Sequence, residues 1–295
     1  MSGPVSANSV SANSVSANSV SDSVETWSGK GKQDENFPVG SALIARKYRG
    51  PMHCYYAFAR NADDIADSAV LSPQDKLVRL DIMEDVLLGR RATGSPSASA
   101  LRVSLAETGV SAQHATDLLV AFRQDAVKSR YATIDELYSY CHYSAVPVGR
   151  YVLDLHRQHH ECYSPSDALC TSLQILNHIQ DCAKDLAELD RCYLPQSLLD
   201  HFGATVEDLR LPAETPALRR VFITLLDRID RMNHAASELP EIVKDWRLRL
   251  ETAVIHGLAK RLGRRLVHND PIANRIKLTK SDAVFSVLTS VLYLV

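Results

Sequence analysis

The chain is built around residues 55–67, which place three carboxylates on an otherwise apolar segment: Tyr55-Tyr56-Ala57-Phe58-Ala59-Arg60-Asn61-Ala62-Asp63-Asp64-Ile65-Ala66-Asp67. If the segment is helical, Asp63 and Asp67 project from one face about a turn apart, because they are four residues apart. Two like charges placed in this way repel each other and destabilise the helix. The chain must therefore either expose this face to solvent or fill the gap with a cation.

A second stretch repeats the arrangement. Asn177, Asp181 and Asp185 follow one another at intervals of four residues. A single pair of aspartates at this spacing is usually a solvated surface face. Here both copies follow apolar residues, Tyr-Tyr-Ala-Phe-Ala before one and Leu-Gln-Ile-Leu before the other, which is unusual for a surface face. Two acidic helices of this kind in one chain suggest a shared cation site.

The composition limits the class of protein. The chain has 295 residues, of which 45% are hydrophobic, and a net charge of −2. It can hold a substantial core, and its charge balance gives no reason to expect nucleic acid as a partner. The six cysteines lack Cys-x-x-Cys spacing, and we find no secretory signal and no apolar run of about 20 residues. These features predict a cytoplasmic protein with reduced thiols.

Signals for helix starts recur along the chain, and signals for β-hairpins do not. Ser72-Pro73, Thr133 with Glu136, and Thr215-Pro216 are typical of helix N-termini, and Pro51 can open the helix that carries the first acidic motif. Pro147 and Gly149 must kink or break a long apolar segment. The sequence therefore predicts an all-α, single-domain helical bundle.

The first 34 residues differ from the rest. Residues 6–20 are three copies of Ser-Ala-Asn-Ser-Val, and the polar character continues to about Asp34. Such a segment has too little apolar surface to offset the entropy of ordering it. We therefore expect a disordered tail over residues 1–34 and one all-α domain over residues 35–295.

Oxygen-rich helix faces favour a hard divalent cation. Mg²⁺ usually binds through one or two carboxylates plus substrate phosphates, which predicts a diphosphate substrate. Basic residues should then bind the remaining charge, and Arg60, Lys184 and Arg191 flank the motifs. Ionisation of the C–O bond would form a carbocation, which aromatic faces such as those of Tyr56 and Tyr143 can stabilise.

At this point the residues resemble a known family. The segment from Tyr56 to Asp67 is similar to the first aspartate-rich motif of the squalene/phytoene synthases, and Asn177 to Asp185 followed by Asp190 to Pro195 is similar to the second. Residues 35–39, Glu-Asn-Phe-Pro-Val, and residues 144–150, Ser-Ala-Val-Pro-Val-Gly-Arg, resemble the hydroxysqualene synthase branch of bacterial hopanoid biosynthesis. The resemblance implies an isoprenoid-synthase bundle with a central apolar cavity.

The resemblance also implies a reaction. Presqualene diphosphate would release diphosphate with the help of several Mg²⁺ ions, and the rearranged cation would be captured by water to give hydroxysqualene without NADPH. The alternatives are condensation of farnesyl diphosphate to presqualene diphosphate, squalene or phytoene, and, from another class, a non-catalytic helical partner protein. Direct transfer of substrate or product between enzymes of the squalene pathway is left open.

The roles implied by the resemblance fall on eleven residues. The implied metal ligands are Asp63, Asp67, Asp181, Asp185 and Asn177; the implied diphosphate-binding residues are Arg60, Lys184, Arg191 and Arg275; and Tyr56, Tyr143 and Asn177 are the candidate catalytic residues. A salt bridge from Arg60 to Asp64 is compatible with the role of Arg60. The group that directs the water is open among Gln174, Asn177 and Tyr143.

The chain ends on an apolar segment, residues 283–295, which is too short to span a bilayer. It could pack on the bundle or make peripheral contact with the inner face of the membrane. Packing on the bundle is the default expectation.

Overall fold

A computed structural model describes residues 23–25 and 44–290. The predicted tail therefore lies largely outside the described residues, as do residues 35–39 and the last five residues of the apolar C-terminal segment. Val24 and Glu25 lie against the bundle: the Val24 amide donates to the Gly94 carbonyl at 2.8 Å, and the Ser97 amide donates to the Glu25 carboxylate at 2.8 Å.

The described residues form an all-α bundle, as predicted. Its twelve α-helices are α1 (Arg46–Ala66), α2 (Pro73–Leu87), α3 (Pro96–Thr108), α4 (Gln113–Val127), α5 (Ile134–Ser144), α6 (Val146–Leu155), α7 (Tyr163–Leu189), α8 (Gln196–Phe202), α9 (Pro216–Ala235), α10 (Leu239–Ile242), α11 (Trp246–His268) and α12 (Lys280–Ser290). Two short strands, β1 (Arg130–Tyr131) and β2 (Cys192–Pro195), pair in parallel. Three short 3-10 turns complete the fold.

Several helices begin where the sequence predicted. The side chains of Ser72, Thr133 and Thr215 cap α2, α5 and α9 by accepting hydrogen bonds from backbone amides three residues later. A break between α5 and α6 at Ala145 precedes Pro147, which lies in the first turn of α6. The backbone amides at these helix starts are thereby satisfied, and the helix boundaries are fixed locally.

Two expectations about helices were incomplete. Helix α1 begins at Arg46, so Pro51 lies inside it and does not open it. The proline is tolerated close to the helix start, and its carbonyl accepts a hydrogen bond from the Tyr151 hydroxyl at 3.0 Å. Helix α3 was missed, although Ser95-Pro96 starts it in the same way as Ser72-Pro73 starts α2.

The bundle has two hydrophobic cores that meet at α6. The N-terminal core is formed mainly by α1 to α4, and the C-terminal core mainly by α5, α7, α9 and α11. Tyr151 of α6 stacks on Tyr55 in the first core at a centroid distance of 3.9 Å, whereas Leu153 of α6 packs in the second. The first acidic motif therefore lies in one half of the bundle and the second motif in the other.

All six cysteines lie in the described part of the chain and are free thiols, as predicted. Within residues 44–290, no helix is both long and apolar enough to cross a membrane.

Candidate active site

The first acidic motif lies at the C-terminal end of α1, with Arg60 beside it. The Arg60 guanidinium donates to the Asp63 carboxylate at 2.9 Å and lies 2.8 Å from the Asp64 carboxylate. The predicted Arg60–Asp64 pair is therefore confirmed. The Asp64 side chain is 5% exposed and the Asp63 side chain 35% exposed, so Asp63 faces the open side of the helix.

The second motif lies on α7 beneath the segment that follows α11. Arg275 approaches both oxygens of Asp181, at 2.6 Å and 2.9 Å, and the Gln180 side chain donates to the Ile276 carbonyl. Asn177 lies one turn earlier on α7 and is half-buried. The structure thus brings Arg275 to the second motif, although the two are more than 90 residues apart in the sequence.

The two motifs lie close together, because Arg191 donates from its guanidinium to the Asp67 carboxylate at 2.9 Å and from its backbone amide to the Asp185 carbonyl at 3.2 Å. Burial, followed by the charges of Asp181 and Asp67, raises the pKa of Asp185 to about 7. Burial and the neighbouring Asp67 charge likewise raise the pKa of Asp63 above its usual range. The negative charge of Asp67 therefore raises the pKa of one carboxyl in each motif, Asp63 in the first and Asp185 in the second. Asp185 has no arginine or lysine partner within 4 Å among the described residues, so the site has an excess of negative charge.

Arg191 joins the two halves of the bundle. Its guanidinium donates to the Asp67 carboxylate at 2.9 Å, to the Asp125 carbonyl at 2.9 Å and to the Tyr193 hydroxyl at 3.2 Å. Its side chain is 7% exposed. In this structure Arg191 is therefore a buried counter-ion that holds Asp67, and a diphosphate contact remains a prediction.

Asp125, which is not among the residues predicted from the sequence, lies at the centre of this network. Its carboxylate accepts hydrogen bonds from the hydroxyls of Tyr140 at 2.7 Å and Tyr193 at 2.9 Å, and burial raises its pKa to about 6. Asp125 lies on the buried face of α4 with Leu118 and Ala121. An acidic residue on the apolar face of an amphipathic helix is the sequence signal that could have identified it.

The aromatic side chains divide into two groups. Tyr55 and Phe58 are packed in the N-terminal core. Tyr140 and Tyr193 lie 5.1 Å apart beside Asp125, and His178 of α7 stacks on Tyr193 at 3.7 Å. Burial and the Arg191 charge lower the pKa of His178 to about 3, so its imidazole is neutral.

The remaining candidates are Tyr143, Tyr56 and Lys184. Tyr143 is half-buried against the C-terminal core and meets His142 edge-to-face at 5.1 Å. Tyr56 is half-buried on α1. Lys184 points toward solvent, and its ammonium lies 3.8 Å from the Glu188 carboxylate, so its role in binding diphosphate stays a prediction.

The donor set suits Mg²⁺ shared with a phosphate ligand. Among residues 44–290, no three Asp, Glu, His or Cys side chains are grouped closely enough to enclose a metal ion by themselves. The oxygens of Asp63, Asp67, Asp181 and Asp185 instead line two facing helices. This arrangement fits ions that take one or two carboxylates each and complete their coordination with water and phosphate oxygens.

An all-α bundle in which two acidic helices face each other, with arginines between them, defines a synthase that processes isoprenoid diphosphates. The chain belongs to the squalene/phytoene synthase family, because the sequence model described as "Squalene/phytoene synthase" matches residues 30–282.

Relatives and solved structures agree with this family. The chain is 45% identical to the hydroxysqualene synthase of Rhodopseudomonas palustris over 262 residues, which are 89% of each chain. It is 41% identical to the hydroxysqualene synthase of Zymomonas mobilis, over 87% of each chain. The crystal structure of the squalene synthase HpnC from Alicyclobacillus acidocaldarius superposes with a TM-score of 0.69 at 31% identity, covering 78% of this chain and 88% of that one.

Proposed function

We propose that this protein converts presqualene diphosphate to hydroxysqualene with the help of Mg²⁺. The C–O bond breaks and its electron pair leaves with the diphosphate. The resulting cation rearranges, water adds to it, and the adduct loses one proton. The names and the 40–45% identity of the hydroxysqualene synthases support this reaction among those of the family.

One observation carries the chemistry: three candidate metal ligands are each paired with a candidate diphosphate-binding arginine. Arg60 pairs with Asp63 and Arg191 with Asp67 on the first motif, and Arg275 pairs with Asp181 on the second.

In such a pair the aspartate can bind a metal ion and the arginine can bind diphosphate once both ligands enter the site. Asp63, Asp67, Asp181 and Asp185 would hold Mg²⁺, which when bound would neutralise charge on the leaving diphosphate. Asp63 and Asp181 would then bind the metal, and the planar guanidinium groups of Arg60 and Arg275 would bind diphosphate oxygens.

The rest of the site would shield and orient the cation. Tyr56, Tyr140 and Tyr143 are the proposed aromatic stabilisers, and we add Tyr193. The hydroxyls of Tyr140 and Tyr193 both donate to the Asp125 carboxylate, which supports a fixed position for their rings. Asn177, one turn from Asp181, remains the proposed oxygen ligand or positioning group for water. We propose that NADPH is not used, because water takes the place of a hydride.

Product analysis tests this proposal. Purified protein is incubated with presqualene diphosphate or farnesyl diphosphate, with Mg²⁺ or EDTA, and with or without NADPH. We expect hydroxysqualene from presqualene diphosphate only with Mg²⁺ and irrespective of NADPH. Squalene that appears only with NADPH, or presqualene diphosphate or phytoene made from the shorter substrate, would instead support the condensing or reducing members of the family.

A protein that produces no diphosphate from either substrate would be a non-catalytic partner.

We further propose a cytoplasmic enzyme, since all six thiols are free. Direct transfer of the apolar product to another enzyme of the squalene pathway stays a prediction.

A further inference from the structure

Helix α12 buries its polar side chains and exposes its large apolar ones, which is the reverse of an ordinary surface helix. Asp282, Ser286 and Ser290, spaced four residues apart, are buried with exposures of 5%, 1% and 3%. The large apolar side chains point outward: exposure is 59% at Val284, 51% at Phe285, 40% at Val287 and 65% at Leu288. A surface helix normally buries its apolar stripe, so the exposed apolar face of α12 has the character of an interaction surface.

Polar contacts fix the helix in this orientation. The Asp282 carboxylate lies 2.7 Å from the Arg265 guanidinium and accepts a hydrogen bond from the Thr279 hydroxyl at 2.7 Å. Ser286 packs on Gly257 of α11, where a Cβ would lie 3.2 Å from the serine Oγ. Turning the apolar face inward would break these contacts and leave the Arg265 guanidinium without its carboxylate partner.

Basic side chains surround the apolar face. The Arg261 guanidinium lies 3.9 Å from the centre of the Phe285 ring, and Lys260 and Arg264 are exposed within one turn of Arg261 on α11. Arg261 and Arg265 both approach Asp282 of α12, at 3.7 Å and 2.7 Å, so this group of four basic residues, with Lys260 and Arg264, contacts one acidic side chain there. The patch is therefore positive on a protein that is slightly acidic overall.

We propose that the outer face of α12, together with the basic residues of α11, binds the surface of an anionic phospholipid bilayer. An exposed apolar helix face with cationic neighbours is the composition of helices that lie in the membrane interface. The apolar side chains would enter the acyl boundary, and Lys260, Arg261 and Arg264 would lie at the level of the lipid phosphates. The contact would be peripheral, because the polar face of α12 stays packed on α11.

Charge favours a lipid surface over a second copy of the chain. Two α12 faces packed against each other would bring two positive patches together, and like charges oppose such an interface. An anionic bilayer instead attracts each basic side chain and accepts the apolar face. The proposal concerns where the protein is located and is independent of the reaction that it catalyses.

Vesicle flotation with the full-length chain tests the proposal, because it requires no substrate. The vesicles contain phosphatidylcholine alone or phosphatidylcholine mixed with phosphatidylglycerol. We expect the protein to float with the anionic vesicles, and to float less at high salt because salt screens the attraction. The double variant Val284→Ser/Leu288→Ser should lose binding by about tenfold or more.

Matched variants separate the contributions of this face. Val103→Ser/Val127→Ser removes two apolar side chains that are 53% and 62% exposed elsewhere, and it should float like the unaltered protein. Lys260→Glu/Arg264→Glu should reduce binding to anionic vesicles only. Thermal melting of each variant checks that it is folded.

Three results would overturn the proposal: no flotation of the unaltered protein, equal loss of binding in the control variant, or a dimer in light scattering that Val284→Ser/Leu288→Ser abolishes while flotation is unchanged. The last result would assign the face to a second copy.

Discussion

The Arg191 guanidinium donates a hydrogen bond to the Asp67 carboxylate across 2.9 Å and thereby ties the residue before β2, in the C-terminal half of the bundle, to the end of α1 in the N-terminal half. The two residues are 124 positions apart in the sequence. The contact holds a predicted metal ligand in place without itself facing solvent, since the arginine side chain is 7% exposed. The relative position of the two acidic motifs therefore depends on a buried ion pair.

Asp125 is a second buried counter-charge for Arg191, beside Asp67, so its loss should destabilise the protein. We expect Asp125→Asn to lower the free energy of unfolding by about 3 kcal/mol, because Arg191 would lose a buried counter-charge. Tyr140→Phe removes only one hydrogen bond to the same carboxylate and should cost about 1 kcal/mol. Urea unfolding measures both values. A cost below about 1 kcal/mol for Asp125→Asn would show that Asp67 alone compensates Arg191.

Arg275 should affect metal binding and substrate binding in opposite directions. It pairs with Asp181, so it competes with Mg²⁺ for that carboxylate in the free protein. We expect Arg275→Gln to bind Mg²⁺ several-fold more tightly by calorimetry, and to raise KM for the diphosphate substrate by about tenfold, because one bidentate donor is lost.

Arg228→Gln on α9, outside the described site, is the matched control and should change neither quantity. A variant of Arg275 with weaker Mg²⁺ binding and unchanged KM would instead assign the arginine to positioning Asp181.

The acidic motifs should be essential for ionisation of the substrate. We expect Asp67→Ala and Asp181→Ala each to reduce kcat/KM for diphosphate release by on the order of 10²-fold or more, since each removes an oxygen ligand of a charge-stabilising ion. Asp230→Ala changes an exposed aspartate on α9 and should leave the rate unchanged. Release of inorganic diphosphate is the measurement. Retention of full activity in either motif variant would contradict the proposed metal site.

The raised pKa of Asp185 predicts a pH dependence of stability. Between its ordinary pKa of 3.8 and its folded value of about 7, the folded metal-free protein holds a proton that the unfolded chain releases. Stability from this group is therefore present at low pH and is lost as the pH rises through about 7.

Thermal melting in EDTA tests this pH dependence. Asp185→Asn cannot ionise, so its Tm should rise relative to that of the unaltered protein between about pH 5 and 8. Asp230→Asn should show a constant difference over the same range. A difference that is also constant for Asp185→Asn would mean that Asp185 ionises normally in the folded protein.

The sequence alone determined the all-α class, several helix starts and the local spacing within each motif. Ser72, Thr133 and Thr215 cap helices by bonds that reach only three residues, and Asp63 with Asp67 share a face because of the helical repeat. Family resemblance added the pairing of the two motifs, since both were present in the expected order. These properties depend on neighbouring residues, which a sequence displays directly.

Only the tertiary structure decided which arginine meets which carboxylate and which polar residues are buried. Arg191 meets Asp67 and Asp125 because β2, α1 and α4 converge, and no local pattern encodes that meeting. The orientation of α12 is likewise set by Asp282 and Ser286 against α11, although its composition alone made packing of the apolar face the default expectation. Long-range packing chooses among partners that are chemically equivalent in the sequence, and so it determines the site's charge balance.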